Sequence, residues 1–304
     1  RDMENTISIL ENWKEKNATP KNQKPKMVFI NASGGGVKAT VFAMRMLQIA
    51  DQETTGELMK HTFLLTGASG GMLGSAYFRE LYWKDLVDEK NERFNIQFTY
   101  NVAGDLLNPV TTAIAVNDIF YPWQSFTEGG HRYRKDRAYM FEKQFNENTD
   151  GILEKPLNAY SEAEFNAEIP MAIFTPTIIN DERKAYISSQ PVSYLTKSIS
   201  REKHHSRAEV NGFDFCHYFK NHGGINVKMS SILRVSATFP YVLPTVKLPT
   251  EPAVQLMDAG ISDNFGTETT IRFVEVFSDW IKENTSGVVI IQMRGVERRK
   301  PIHG

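Results

Sequence analysis

Cysteine is almost missing from this sequence. Cys216 stands alone in 304 residues, which excludes a disulfide within the chain, is compatible with a reducing compartment, and reads as a small buried apolar side chain. An excess of charge of either sign is also missing: 35 Lys and Arg face 36 Asp and Glu, for a formal net charge of -1. That balance excludes a global positive field of the kind that recruits nucleic acid or an anionic membrane, and leaves only local patches open. No apolar run reaches the roughly 18 residues of a spanning helix, and the start carries no secretory signal. The chain opens at Arg1 and closes on "ERRKPIHG". The expectation is an excerpt of a longer protein, cytoplasmic or peripheral to a membrane, with any anchoring segment in flanking sequence. A content of 41% hydrophobic and 23% charged residues suits a folded chain with an ample core, as one large α/β domain or two smaller ones.

Three familiar sites are incomplete. The run "GGGVKA" from Gly34 fits a loose dinucleotide fingerprint, but the next strand, "TFLL", ends without the acidic residue that binds a ribose. A phosphate-binding P-loop needs Gly-Lys-Ser/Thr, and here Val37 precedes Lys38. "NENTDGILEKPL" puts Asn146, Asn148, Asp150 and Gly151 at the first positions of a calcium loop, but Leu157 occupies the twelfth and Pro156 intrudes, so it reads as a turn. Histidine is short where a catalytic triad would use it. Only His303 follows Asp258, His204 and His205 lie in a charged loop-like stretch, and His61 begins a strand.

What the sequence does contain is a repeated strand-glycine-helix grammar. An amphipathic helix (Met3 to Lys16) and a polar stretch, "KNATPKNQKPK", lead into the strand "MVFINA". Glycines follow, then a helix from about Lys38 with Phe42, Met46 and Ile49 on one face. "FLLTGASGGMLGSAYF" (63–78) repeats the unit, and two such units predict a parallel sheet covered by helices. Further on, "AIAVNDIFYPW" is apolar enough either to pack on the core or to wall a channel or lipid contact. Strands are expected at 171–179 and 184–189, a polar excursion at 195–227, and a short helix in "SILRVSATFPYVLP" ending at a proline turn. A strand "AVQLMD", a helix over about Gly266 to Glu283 and a final core strand "GVVIIQM" complete the chain.

Chemistry concentrates in three places. Gly67-Ala68-Ser69-Gly70-Gly71 has the spacing of a nucleophile elbow, where small neighbours let a serine sit on a tight strand-to-helix turn; a plain βα turn has the same spacing. Gly34, Gly35 and Gly36 give main-chain N–H groups at a helix start, either an anion cradle or a bare turn. Asp258 leaves a strand at its C-terminal end, where open α/β sheets build their sites, and equally where an aspartate caps a turn.

Together these stretches resemble the patatin-like phospholipases, lipid acyl hydrolases that include relatives of cytosolic phospholipase A2. In that family's order stand the glycine loop Ser33 to Ala39, the GxSxG run Gly67 to Gly71, "RVSATFP" (Arg234 to Pro240), and Asp258-Ala259-Gly260 with Asn264, over about residues 27–293. The resemblance implies a three-layer α/β/α fold with a central, mainly parallel sheet, residues 1–25 being an N-terminal helix and linker and 26–304 the catalytic domain. It implies Ser69 as nucleophile, Asp258 as base in a Ser-Asp dyad, Gly34, Gly35 and Gly36 as oxyanion hole, and Gly67, Gly70 and Gly71 as the elbow. Gly260 and Asn264 would support the dyad loop. The substrate would be a lipid or phospholipid at a membrane surface, with no metal or organic cofactor and no nucleic acid. An acyltransferase using the same acyl-enzyme, or a silent lipid-binding module, are the alternatives. Ser33, Lys38 and Ala39 depart from the family's usual aspartate, arginine and glycine, which puts a structural ion pair at the loop in doubt.

Overall fold

Every residue of "MVFINA" and "TFLLTG" is buried, the pattern of strands covered on both faces rather than one. They form β1 (Met27–Ala32) and β2 (Thr62–Gly67), neighbours in a parallel sheet of order β11-β1-β2-β5, with β5 spanning Met171–Phe174 and β11 Val288–Met293. The computed structural model describes residues 1–113, 120, 123–128, 131–179, 182–197, 210–238, 246–247 and 254–295. The chain is an α/β protein with a parallel central sheet between helices.

Alternation along β1 divides the core. Phe29 faces one layer with Ile9, Leu10 and Trp13 of α1 (Asp2–Asn17), while Val28, Ile30 and Ala32 face the other. That second layer holds α2 (Gly36–Glu53), α3 (Glu57–His61) and α4 (Ser69–Asp88), followed in the chain by α5 (Ile96–Ala103), α6 (Leu107–Ala113) and the hairpin of β3 (Ser125–Glu128) and β4 (His131–Arg134). Next come α7 (Arg137–Asn148) and α8 (Ser161–Phe165). Asp136 caps α7 by accepting the N–H groups of Ala138 and Tyr139, and Asp150 and Gly151 turn the chain after it, as expected of the decoy calcium loop.

Beyond β5 the sheet changes character. Strands β6 (Thr177–Ile178), β7 (Lys184–Tyr186), β8 (Gly212–Asp214), β9 (Val246–Lys247) and β10 (Gln255–Met257) form a second sheet, order β8-β7-β6-β10-β9, joined to β5 by a Phe174–Ile187 bridge. Between them in the chain lie α9 (Phe215–Tyr218) and α10 (Met229–Ser236). The C-terminal part adds the single turn α11 (Gly260–Asp263), then α12 (Thr267–Val276) and α13 (Ser278–Asn284), which cover the Phe29 face of the parallel sheet.

Several expectations are corrected. The strand entering Asp258 belongs to the second sheet, where it pairs antiparallel with β6 and β9, its neighbours rather than its own apolar pattern setting its direction. Of the expected face Phe42, Met46, Ile49, only Phe42 packs partly on the core; Met46 and Ile49 are exposed, and α2 buries Ala39, Thr40, Ala43, Met44, Leu47 and Gln48, where small and polar residues stand beside Met44 and Leu47. The helix expected over Gly266 to Glu283 breaks at Phe277. "GVVIIQM" forms an edge strand with Val289 and Ile290 exposed, not a core strand. The described part of the excursion at 195–227 contains β8 and α9, and Phe215 of α9 and Phe219 just after it are fully buried. Most of "AIAVNDIFYPW", the proline turn after α10, and His204, His205 and His303 lie outside the described residues.

Candidate active site

Ser69 is the first residue of α4 and has φ 47°, a left-handed conformation that costs a non-glycine residue about 1–2 kcal/mol. The surroundings enforce it. Ala68 is extended and its N–H donates to the Ala32 carbonyl at 3.0 Å, so the chain leaves β2 and enters the helix within two residues. A side chain at Gly67 would overlap the Ala32 main chain, at Gly70 the Gly36 carbonyl, and at Gly71 the Ser33 carbonyl. The elbow glycines therefore let α4 start flush against the β1–α2 loop.

That loop carries the second element. Gly35, at φ 145° and ψ 28°, is the N-cap of α2, and Gly36, at φ 63°, its first residue. The Ser33 N–H donates to Met293 O at 3.0 Å and the Gly34 N–H to Asn264 O at 3.1 Å. Gly34 is thus not a free donor, which corrects its place in the expected cradle. The N–H groups of Gly35, Gly36 and Gly70 meet no acceptor among the described residues. They sit at the N-termini of two helices of 18 and 20 residues, where unpaired donors and the helix dipole both favour negative charge. Of the substituted loop positions, Ser33 is buried with its hydroxyl unpartnered, while Lys38 is exposed and makes no ion pair among the described residues.

Asp258 follows β10 and is only 2% exposed. Its N–H donates to Thr238 O at 3.0 Å, and its carbonyl accepts the Thr177 hydroxyl at 3.1 Å. The carboxylate accepts the Gly260 N–H through Oδ1 at 2.6 Å, and Oδ2 has no partner among the described residues. Burial pushes the carboxyl above its ordinary range; the Gly260 N–H and then the nearby Ser69 hydroxyl pull the other way. The Ser69 hydroxyl is close enough to act on the Asp258 charge, yet the two do not meet the distance and angle of a formed hydrogen bond.

Asn264 joins the parts. Beyond holding Gly34 through its main chain, its Oδ1 lies where side chains at Gly34 or Gly260 would intrude, and a Cβ at Gly34 would also come within 3.3 Å of Ser69 Cβ. Ser69, Asp258, Gly34, Gly35, Gly36, Gly70, Gly260 and Asn264 line one cavity of about 740 Å³; Gly67 and Gly71 pack behind it. Apart from Thr40 the rest of its wall is apolar, including Leu73, Leu106, Val110, Phe141 and Ile261, and no histidine lines it among the described residues. Leu106, Val110 and Phe141 belong to no motif and reach the cavity only through tertiary packing. A helix-start hydroxyl, a carboxylate of raised proton affinity and unpaired N–H groups are a sufficient set for nucleophilic attack on an ester carbonyl.

No protein-family model matches the chain, and no curated protein matches it. Among solved structures, human GIVD cytosolic phospholipase A2 aligns with 89% of this chain and 47% of its own at 12% identity and a TM-score of 0.42. The same human enzyme in complex with methyl gamma-linolenyl fluorophosphonate aligns with 62% of this chain and 27% of its own, at 14% identity and a TM-score of 0.37. VipD from Legionella pneumophila aligns with 81% of this chain and 48% of its own, at 11% identity and a TM-score of 0.33. The chain spans between a quarter and a half of these neighbours' lengths. At such scores the likenesses carry no argument about chemistry.

Proposed function

We propose that this chain is a serine-dependent lipid acyl hydrolase of the phospholipase A or lysophospholipase type, in keeping with the patatin-like order of its motifs. The observation that carries the reading is the left-handed Ser69 at the start of α4, facing the same apolar cavity as the buried, half-satisfied carboxylate of Asp258.

In this reading the acyl chain lies along Leu106, Val110 and Phe141, which brings its ester carbonyl to the polar end of the cavity. Ser69 Oγ attacks that carbonyl carbon while its proton passes to Asp258 Oδ2. The carbonyl oxygen, now an anion, accepts from the N–H groups of Gly35, Gly36 and Gly70; one such donor is worth about 3 kcal/mol of transition-state stabilisation. Collapse breaks the ester C–O bond, and Asp258 returns the proton to the leaving alcohol. Water then attacks the acyl-enzyme, giving its proton to Asp258, and Ser69 leaves with that proton as the free acid departs. Desolvation makes Asp258 a stronger base than a carboxylate in water, which is how the pair operates without histidine.

Release of fatty acid from short-chain and long-chain esters by purified protein, compared with Ser69→Ala, tests the reading. Turnover by the wild type that Ser69→Ala abolishes supports it. Equal turnover by both proteins overturns it.

A further inference from the structure

β11 runs from Val288 to Met293 without a charge, a proline or a glycine, and among the described residues no strand pairs with its outer side. Sheets blunt such edges with lysine, proline, a bulge or a covering loop, because an open apolar edge is a template for another strand. The groups it offers follow from its inner side. Met27 N–H donates to Gly287 O at 3.1 Å and Ser33 N–H to Met293 O at 3.0 Å, and the β1–β11 register holds without a shift between them. The alternation of a parallel ladder therefore turns Gly287, Val289, Ile291 and Met293 toward β1, and points the N–H and C=O of Val288, Ile290 and Gln292 away from it.

The layers on either side of this edge are apolar too. Val289 is 36% and Ile290 44% exposed, and as neighbours in a strand they face opposite layers. On the Val289 face, a side chain at Gly295, just past β11, would stand 3.5 Å from Ala39 of α2, which marks the flank of that helix nearest the edge. Met46, two turns along that flank, is exposed, as is Ile49 beside it. The polar flank of α2 turns away, Gln48 donating to the carbonyls of Arg93 and Asn95. On the Ile290 face, the Thr267 hydroxyl of α12 donates to Gln292 Oε1 at 2.8 Å, and one turn further Ile271 is exposed.

An extended peptide on β11 would satisfy its main chain and leave Met46 and Ile271 in water. A second molecule with the same three layers covers strand and helices together. A strand that pairs antiparallel with its own copy also sets its central residue against itself, so a charge there would meet its like. β11 has none, and with Ile290 at the centre the nearest charge, Arg294, falls opposite Ser286. We propose that this chain forms a two-fold dimer in which β11 pairs antiparallel with β11 of a second copy, Ile290 exchanging hydrogen bonds with its own copy and Val288 with Gln292. One sheet then runs through both molecules, and the stripe of Phe42, Met46 and Ile49, outward in one chain, faces its copy across the seam. The contact uses the same patch on both partners and closes on itself, giving a dimer rather than a fibre. It stands independently of the hydrolase reading.

Sedimentation velocity on the whole chain up to about 100 µM, a range in which a weak dimer forms, tests the proposal. Wild type is expected to dimerise. Ile290→Lys and Ile290→Glu, each checked for folding by circular dichroism, are each expected to raise the dimer Kd at least about 100-fold, because like charges then face each other across the axis. Mixing these two variants should restore the dimer, since opposite charges now meet. Met46→Glu, on a helix surface outside the strand, should raise Kd at least about tenfold, and it decides the matter if the strand variants do not fold. Hydrogen exchange should show concentration-dependent protection at the amides of Val288, Ile290 and Gln292. A wild type that stays monomeric overturns the proposal, as does a dimer indifferent to the Ile290 and Met46 variants. Binding of an extended apolar peptide to β11 of a monomer would overturn it in favour of a different occupant.

Discussion

The main-chain carbonyl of Asn264 accepts the N–H of Gly34 at 3.1 Å, and its side-chain oxygen packs between Gly34 and Gly260. One residue thereby sets the spacing between the glycine loop and the turn that carries Asp258. The two motifs come from different sheets, so nothing in either strand fixes their distance; Asn264 does.

Gly34→Ala should expose that spacing. Its new methyl would press on Asn264 Oδ1 and stand 3.3 Å from Ser69 Cβ, displacing the loop by a few tenths of an ångström or more. The expected outcome is a loss of about 100-fold in kcat with a folded protein, because small misplacements of a catalytic array cost about that much. Circular dichroism together with ester turnover checks it.

Gly70→Ala is predicted to act on stability as well as activity. A Cβ there would overlap the Gly36 carbonyl, main chain against main chain, which no rotamer relieves. Destabilisation of about 3 kcal/mol or more, read from a denaturant midpoint, is expected. A conserved midpoint would show that the α2–α4 contact is looser than described.

Asp258 makes a prediction of opposite sign for activity and stability. Its carboxyl is raised above the unfolded value by burial, so folding favours the protonated form. Its contribution to stability is fully present below the unfolded value near 4 and is lost as pH rises through the folded value. Asp258→Asn, which keeps an oxygen for the Gly260 N–H, should therefore be at least as stable as wild type at pH 7, by up to about 2 °C in Tm, with no gain at pH 3. The same substitution should cut kcat at least about 1,000-fold. The acid limb of kcat/KM in the wild type should fall above the ordinary aspartate range.

The apolar wall sets which acyl chains fit. Val110→Trp is expected to lower kcat/KM for long-chain esters at least about tenfold relative to acetate esters, whereas Phe141→Ala should extend the range toward longer chains. A chain-length series on both variants measures this.

Much of the site was legible because its geometry is local. A serine between a strand and a helix can only be tolerated where its neighbours are small, so Gly67, Gly70 and Gly71 announce the turn before any coordinate does. The glycine loop was equally plain, but the fate of each N–H was not: that Gly34 is spent on Asn264 depends on a contact 230 residues away in the chain. β1 and β2 were readable from their apolar stretches "MVFI" and "FLL", whereas the outward face of α2 was misread. Its inward face mixes Met44 and Leu47 with Ala39, Thr40, Ala43 and Gln48, so the small and polar residues hide it from a count of apolar bulk. Likewise the antiparallel setting of β10 and the exposed edge of β11 are decided by which strand lies alongside, a property that periodicity does not carry.

Reaction of the purified protein with an alkyl fluorophosphonate, followed by mass mapping of the modified peptide, tests the central claim most directly. The account predicts one adduct, on Ser69, absent in Ser69→Ala and formed much more slowly in Asp258→Asn. An unmodified Ser69 in a protein that still cleaves esters, or an adduct on another residue, would contradict it.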